Sequence, residues 1–125
     1  MTENELSYLI RGAIFKTYYR LGPGLLESCY EALLLHELKK NGLVVRSQVA
    51  LPFIVDGLSL QVGYRIDIIV NDLVLIEIKS IENLTEVHHM QVLTYLKLSG
   101  LKLGILVNFN SSDISKSIFR KVNNL

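Results

Sequence analysis

Two apolar, strand-like runs carry charge where charge is expensive. The first, Tyr64-Arg65-Ile66-Asp67-Ile68-Ile69-Val70, sets Asp67 among β-branched residues, and the second, Leu75-Ile76-Glu77-Ile78-Lys79, does the same with Glu77 and Lys79. Side chains alternate along a strand, so Glu77 and Lys79 share one face of theirs, and Arg65 and Asp67 share one face of the other. Whether those faces coincide is a question of register. A two-residue turn at Asn71-Asp72 places Asp67 opposite Ile76 and sends Glu77 to the far side. A three-residue loop or a bulge places Asp67 directly opposite Glu77, and this is the arrangement expected here, because a site built from these residues needs it. Two carboxylates on one face repel each other and pay for desolvation unless something positive lies between them. A hard divalent cation that takes oxygen ligands, Mg²⁺ or Mn²⁺, suits that place. Lys79 then stands close enough to orient or deprotonate a water, or to offset charge on phosphorus. The plainer alternative is a strand ion pair that joins Asp67 or Glu77 to Lys79 or Arg65.

The elements that must position these residues can be read from periodicity. Leu6, Leu9, Ile10, Ala13, Ile14 and Tyr18 recur at steps of three and four, predicting a helix over 4–21 that Gly22-Pro23-Gly24 ends. A second helix is expected over 25–40, stopped by Asn41-Gly42. Beyond Leu43 the residues turn β-type, with a hairpin signal at Asp56-Gly57 and a return strand alternating through Leu58, Leu60, Val62 and Tyr64 to Ile68. Pro52 marks the outgoing strand as an edge or as bulged. With 73–79 this predicts an antiparallel meander of three strands. Thr85 is the expected N-cap of a third helix over 86–98, and Leu103 to Phe109 reads as a strand buried on both faces. The tail is open: Ile114, Ile118 and Val122 have helical spacing, yet 115–122 also suits a short strand. The order α, α, β, β, β, α, β predicts one α/β domain over 1–125, with helices packed on a mixed sheet.

Composition narrows the function classes. Half of the 125 residues are hydrophobic, and 13 Lys and Arg face 12 Asp and Glu, which excludes disorder. No stretch approaches the roughly 20 apolar residues of a membrane span, and the acidic start Met1-Thr-Glu-Asn-Glu reads as cytoplasmic rather than secretory. The one cysteine, Cys29, fits a reducing compartment and is expected to be a small buried hydrophobe. The last third holds Lys97, Lys102, Lys116, Arg120 and Lys121 against Asp113 alone, a balance that permits a phosphate-bearing partner.

These residues resemble a known family. Gly24-Leu25-Leu26-Glu27-Ser28-Cys29-Tyr30 is similar to the Gly-x-x-Glu-x-x-Tyr signature of the bacterial GxxExxY proteins, which belong to the PD-(D/E)XK nuclease superfamily. Tyr64-Arg65-Ile66-Asp67 and Glu77-Ile78-Lys79 look like its Asp…Glu-x-Lys core, with Ile66 where the superfamily often has proline. Gln91 and Tyr95 resemble the Gln-x-x-x-Tyr motif of RecB-like nucleases, and 103–109 looks like the last core strand. The resemblance implies a restriction-endonuclease-like αβββαβ core and metal-dependent hydrolysis of phosphodiesters. It implies Asp67, Glu77 and the main-chain carbonyl of Ile78 as metal ligands and Lys79 as catalytic. Glu27 resembles the helix-borne carboxylate of Holliday-junction resolvases, which would complete the acidic cluster.

Other residues carry two readings each. Glu27 lies in the first helical turn, where a carboxylate also meets the helix dipole. Tyr30 is expected in the core with its hydroxyl bonded nearby. His88, Gln91 and Tyr95 share a helical face, either as its solvent-proximal edge or with Gln91 bonding the nucleic-acid backbone or a water at the metal and Tyr95 supporting it. His89 points away from that face and is expected to be exposed. Arg65 either binds the neighbouring phosphate or pairs with Glu77. The expected function is a nuclease that cleaves DNA with Mg²⁺ or Mn²⁺, reaching across a duplex as a homodimer. Its rival is a silent module that binds nucleic acid or protein on a nuclease scaffold.

Overall fold

The computed structural model describes residues 1–60 and 63–125; the expected strand position Val62 lies outside the described residues. The elements run α1 (Glu3–Leu21), α2 (Glu27–Lys40), β1 (Val45–Ala50), β2 (Phe53–Val55), β3 (Leu58–Leu60), β4 (Arg65–Val70), β5 (Val74–Lys79), α3 (Glu86–Ser99), β6 (Leu103–Asn108), a 3₁₀ turn (Ile114–Lys116) and β7 (Ile118–Val122). Five strands form one mixed sheet in the order β1-β4-β5-β6-β7, antiparallel except for the parallel pair β5–β6 that α3 connects.

The helices cover both faces of this sheet. Helix α1 is capped by Thr2, whose hydroxyl accepts the Glu5 amide at 3.2 Å, and it buries Leu6, Ile10, Ala13 and Ile14. Helix α2 buries Tyr30, Leu34 and Leu38 beside it, against Ile68, Ile76, Ile78, Ile105 and Val107 of the sheet. The Tyr30 ring stacks on Phe109 with centroids 4.4 Å apart, while its hydroxyl donates to the Gly22 carbonyl at 2.5 Å and accepts the Leu25 amide at 3.1 Å. Tyr30 thereby fixes the loop that delivers Glu27. Helix α3 packs on the other face, with Val92, Tyr95 and Leu96 against Ile69, Leu75 and Leu106. Gly104 permits that approach, since a Cβ built on it would lie 2.7 Å from Val92 Cγ1.

The meander differs from expectation in one respect. Both long strands are interrupted, at Leu51-Pro52 and ahead of Arg65, so β2 and β3 leave the main sheet as a two-stranded hairpin around Asp56-Gly57. Proline has no amide to give to the ladder and ends β1 there. The open question of the tail resolves into the 3₁₀ turn followed by β7, which forms the sheet edge on β6.

Candidate active site

The loop between β4 and β5 sets the register. Asn71 and Asp72 both take positive φ, 51° and 53°, and the Leu73 amide closes the turn on the Val70 carbonyl at 3.0 Å. Asparagine and aspartate tolerate that conformation better than other non-glycine residues. Leu73 is the third loop residue, so Val70 pairs with Val74, Ile69 with Leu75 and Ile68 with Ile76. One step further, this register faces Asp67 with Glu77, as the three-residue loop predicts.

There the backbone ladder stops and the carboxylates take its place. Glu77 Oε1 accepts the Asp67 amide at 3.0 Å, and Asp67 Oδ2 accepts the Ile78 amide at 2.8 Å. The strands splay around two acidic side chains that satisfy each other's neighbouring backbone donors. The Ile78 carbonyl points to the same strand edge as its amide, toward this opening. Glu77 is only 3% exposed. Burial pushes its carboxyl up to about 8, the Asp67 charge adds to the rise, and the amide bond and Lys79 only partly oppose it. Burial also raises Asp67, against the pull of the Ile78 amide, Gln48 and Lys79. Without a cation the pair therefore holds a proton near neutrality.

Around Asp67 the regular alternation fails. Ile68 packs with the α1–α2 core, but Ile66, two residues away, packs with the α3 core. Arg65 and Asp67 therefore do not behave as neighbours on one face. Arg65 is exposed, and its Nη1 donates to the Gln48 carbonyl at 3.4 Å, with no Glu77 pair among the described residues.

Two open clefts flank the pair. On the α2 side a cleft of about 610 Å³ is lined by Glu27, Glu31, Gln48, Asp67, Ile78 and Ser80. Leu26, the residue before α2, gives no side-chain cap, and Glu27 Oε1 instead reaches the Ser80 amide at 3.4 Å. Glu31, one turn on, accepts from Gln48 Nε2 at 2.8 Å; burial raises its carboxyl and the charges of Asp67 and Glu27 add to this, against Gln48. On the α3 side a cleft of about 540 Å³ is lined by Tyr64, Lys79, His88, Met90, Gln91 and Tyr95, so Lys79 faces the second cleft. Gln91 Nε2 donates to the Tyr95 hydroxyl at 3.1 Å, while Gln91 Oε1 is buried without a partner among the described residues. Burial raises Tyr95, as do the charges of Glu77 and Asp67. His88 Nδ1 accepts the Thr85 amide at 2.9 Å, capping α3.

Several expectations need amendment. Cys29 is exposed, because α2 turns Tyr30 inward and the preceding residue outward. His89 is half-buried, its ring edge-on to Phe119 at 4.9 Å. Glu31 and Gln48 were not anticipated at all. The spacing of Glu31 four residues beyond Glu27 on one helix face is a signal for it; nothing local marks Gln48.

Among the described residues no group of three or more His, Cys, Asp and Glu side chains is gathered closely enough to hold a metal unaided. No helix among them is long and apolar enough to cross a membrane. Neither the curated proteins nor the solved structures gave a match to this chain. A family model for the PD-(D/E)XK nuclease superfamily matches residues 4–121, and proteins of that superfamily generally act with divalent metal ions. The match spans all three flanking helices, the splayed strands and the sheet, and by it the chain belongs to the PD-(D/E)XK nuclease superfamily.

Proposed function

We propose that this chain is a metal-dependent nuclease of the GxxExxY type that hydrolyses DNA phosphodiesters from one cytoplasmic domain. The observation that carries the reading is the opposition of Asp67 and Glu77 where β4 and β5 part, with Lys79 two residues on. An all-oxygen donor set suits Mg²⁺ or Mn²⁺, and Mg²⁺ in particular is often held by only one or two carboxylates together with water and substrate phosphate. The raised Glu77 carboxyl marks the place where a positive charge is wanted.

In this reading Asp67, Glu77 and the Ile78 carbonyl hold the cation, and Glu27 approaches from α2. When bound, the cation polarises a phosphate oxygen and lowers the pKa of water. Lys79 orients the attacking water and offsets charge in the transition state. Gln91, whose Oε1 has no donor among the described residues, binds substrate from α3, with Tyr95 fixing its other end. His88 and Arg65 serve as outlying phosphate contacts. A homodimer supplies reach across a duplex.

Incubation with linear duplex, single-stranded and branched DNA in Mn²⁺, with EDTA controls, tests this. Chelator-sensitive cleavage of at least one form is expected; no cleavage of any form contradicts it. The near balance of 13 basic and 12 acidic residues favours the rival, a silent binding module, which predicts retention of nucleic acid or a protein partner without turnover.

A further inference from the structure

Gln48 lies in the middle of β1, yet its φ is 51°, in the left-handed region that non-glycine residues avoid. The β1–β4 ladder pairs Ser47 with Ile68 and Val49 with Ile66, and it skips Gln48 and Asp67 between them. The turned backbone sends the Gln48 side chain across two elements. Its Nε2 donates to Glu31 Oε1 on α2 at 2.8 Å and to Asp67 Oδ1 on β4 at 3.3 Å. The other oxygen of Asp67 is held by the Ile78 amide at 2.8 Å. Both carboxylate oxygens are thus fixed, one from each neighbouring strand.

A strand that only needed to bend here would be better served by glycine, which takes positive φ freely. Glutamine keeps the unfavourable backbone and spends it on reach, and strain retained beside a functional group is a pointer to function. We propose that Gln48 is a positioning residue: it sets the orientation of the Asp67 carboxylate, and its distance from Glu31, before a cation arrives. The inference rests on the reading of Asp67 as a cation ligand. Residues that orient a ligand in this way typically contribute about 10–100-fold to metal affinity.

The test separates backbone from amide. Gln48→Gly relieves the positive φ and deletes the side chain, and Gln48→Asn keeps an amide one methylene too short to span Glu31 and Asp67. Mn²⁺ binding, followed by electron paramagnetic resonance without nucleic acid, is expected to weaken about tenfold or more in both variants. Thermal unfolding without metal should show Gln48→Gly at least as stable as wild type. Variants that bind Mn²⁺ as tightly as wild type overturn the inference and leave the cation site standing. A Gln48→Gly protein that loses stability along with affinity also overturns it, since the role is then structural. A wild type that binds no Mn²⁺ removes the cation site and this inference together.

Discussion

Asp67 and Glu77 face each other across two strands and each accepts a backbone amide beside the other, at 3.0 Å for the Asp67 amide and 2.8 Å for the Ile78 amide. These two bonds continue the β4–β5 connection beyond the last paired residues, Ile68 and Ile76, while leaving the strand ends apart. The same contacts join the two strands and engage one oxygen of each carboxylate.

Without divalent metal, stability should fall with rising pH. The Glu77 carboxyl goes from an ordinary value of 4.5 to about 8 on folding. Between these values the folded chain keeps a proton that the unfolded chain has released, so unfolding free energy declines as pH rises through the window and levels off above it. The slope from this one group is at most about 1.4 kcal/mol per pH unit. Urea unfolding in EDTA from pH 5 to 8 should show a shallower decline for Glu77→Gln. Parallel profiles for the two proteins would contradict the assignment.

Metal should reverse that deficit. Mn²⁺ must displace the proton on the pair, so its apparent affinity is expected to rise with pH up to about 8 and then flatten. At pH 7.5, Mn²⁺ should raise the melting temperature of wild type and leave Glu77→Gln nearly unchanged. Calorimetric titration at several pH values checks both statements.

Asn71 aligns the pair from a distance. Besides its positive φ of 51°, its Oδ1 accepts the Val44 amide at 2.8 Å and its own amide donates to the Val44 carbonyl at 2.7 Å. Asn71→Ala loses the side-chain acceptor and strains the turn, and should cost about 1–3 kcal/mol in urea unfolding. Asn71→Gly, which keeps the turn conformation, should cost less than Asn71→Ala.

Helix α3 is seated by Gly104. A Cβ there would meet Val92 Cγ1 at 2.7 Å and Leu75 Cδ1 at 3.1 Å, so Gly104→Ala must push the helix or its side chains away. Overpacking of this kind typically costs about 1–3 kcal/mol. A melting temperature equal to wild type would show that α3 has more room than the structure gives it.

Much of this arrangement was legible in the residues, because burying charge in apolar strands is costly enough to be noticed. Asp67, Glu77 and Lys79 stand out for that reason, and the α1, α2 and α3 periodicities place the flanking layers nearly to the residue. Register was less legible: Asn71-Asp72 suits either a two-residue or a three-residue connection, and the choice shows only in the turn itself, where both residues take positive φ and Leu73 joins the loop. Gln48 was invisible, since its left-handed backbone depends on a break in the ladder opposite Asp67 and leaves no local mark. Cys29 was misplaced because a small apolar residue beside Tyr30 looks like core until the helix phase is known.

Whether Lys79 and the carboxylate pair cut DNA is decided by comparing wild type with Lys79→Ala on the most readily cleaved DNA in Mn²⁺. Lys79 is only partly buried and makes no ion pair at bonding distance among the described residues, so the variant should melt within a few degrees of wild type and still bind Mn²⁺. Its cleavage rate is expected to fall by at least about a hundredfold, the scale on which positioned charge acts in transition states. Cleavage by Lys79→Ala at the wild-type rate would contradict the account.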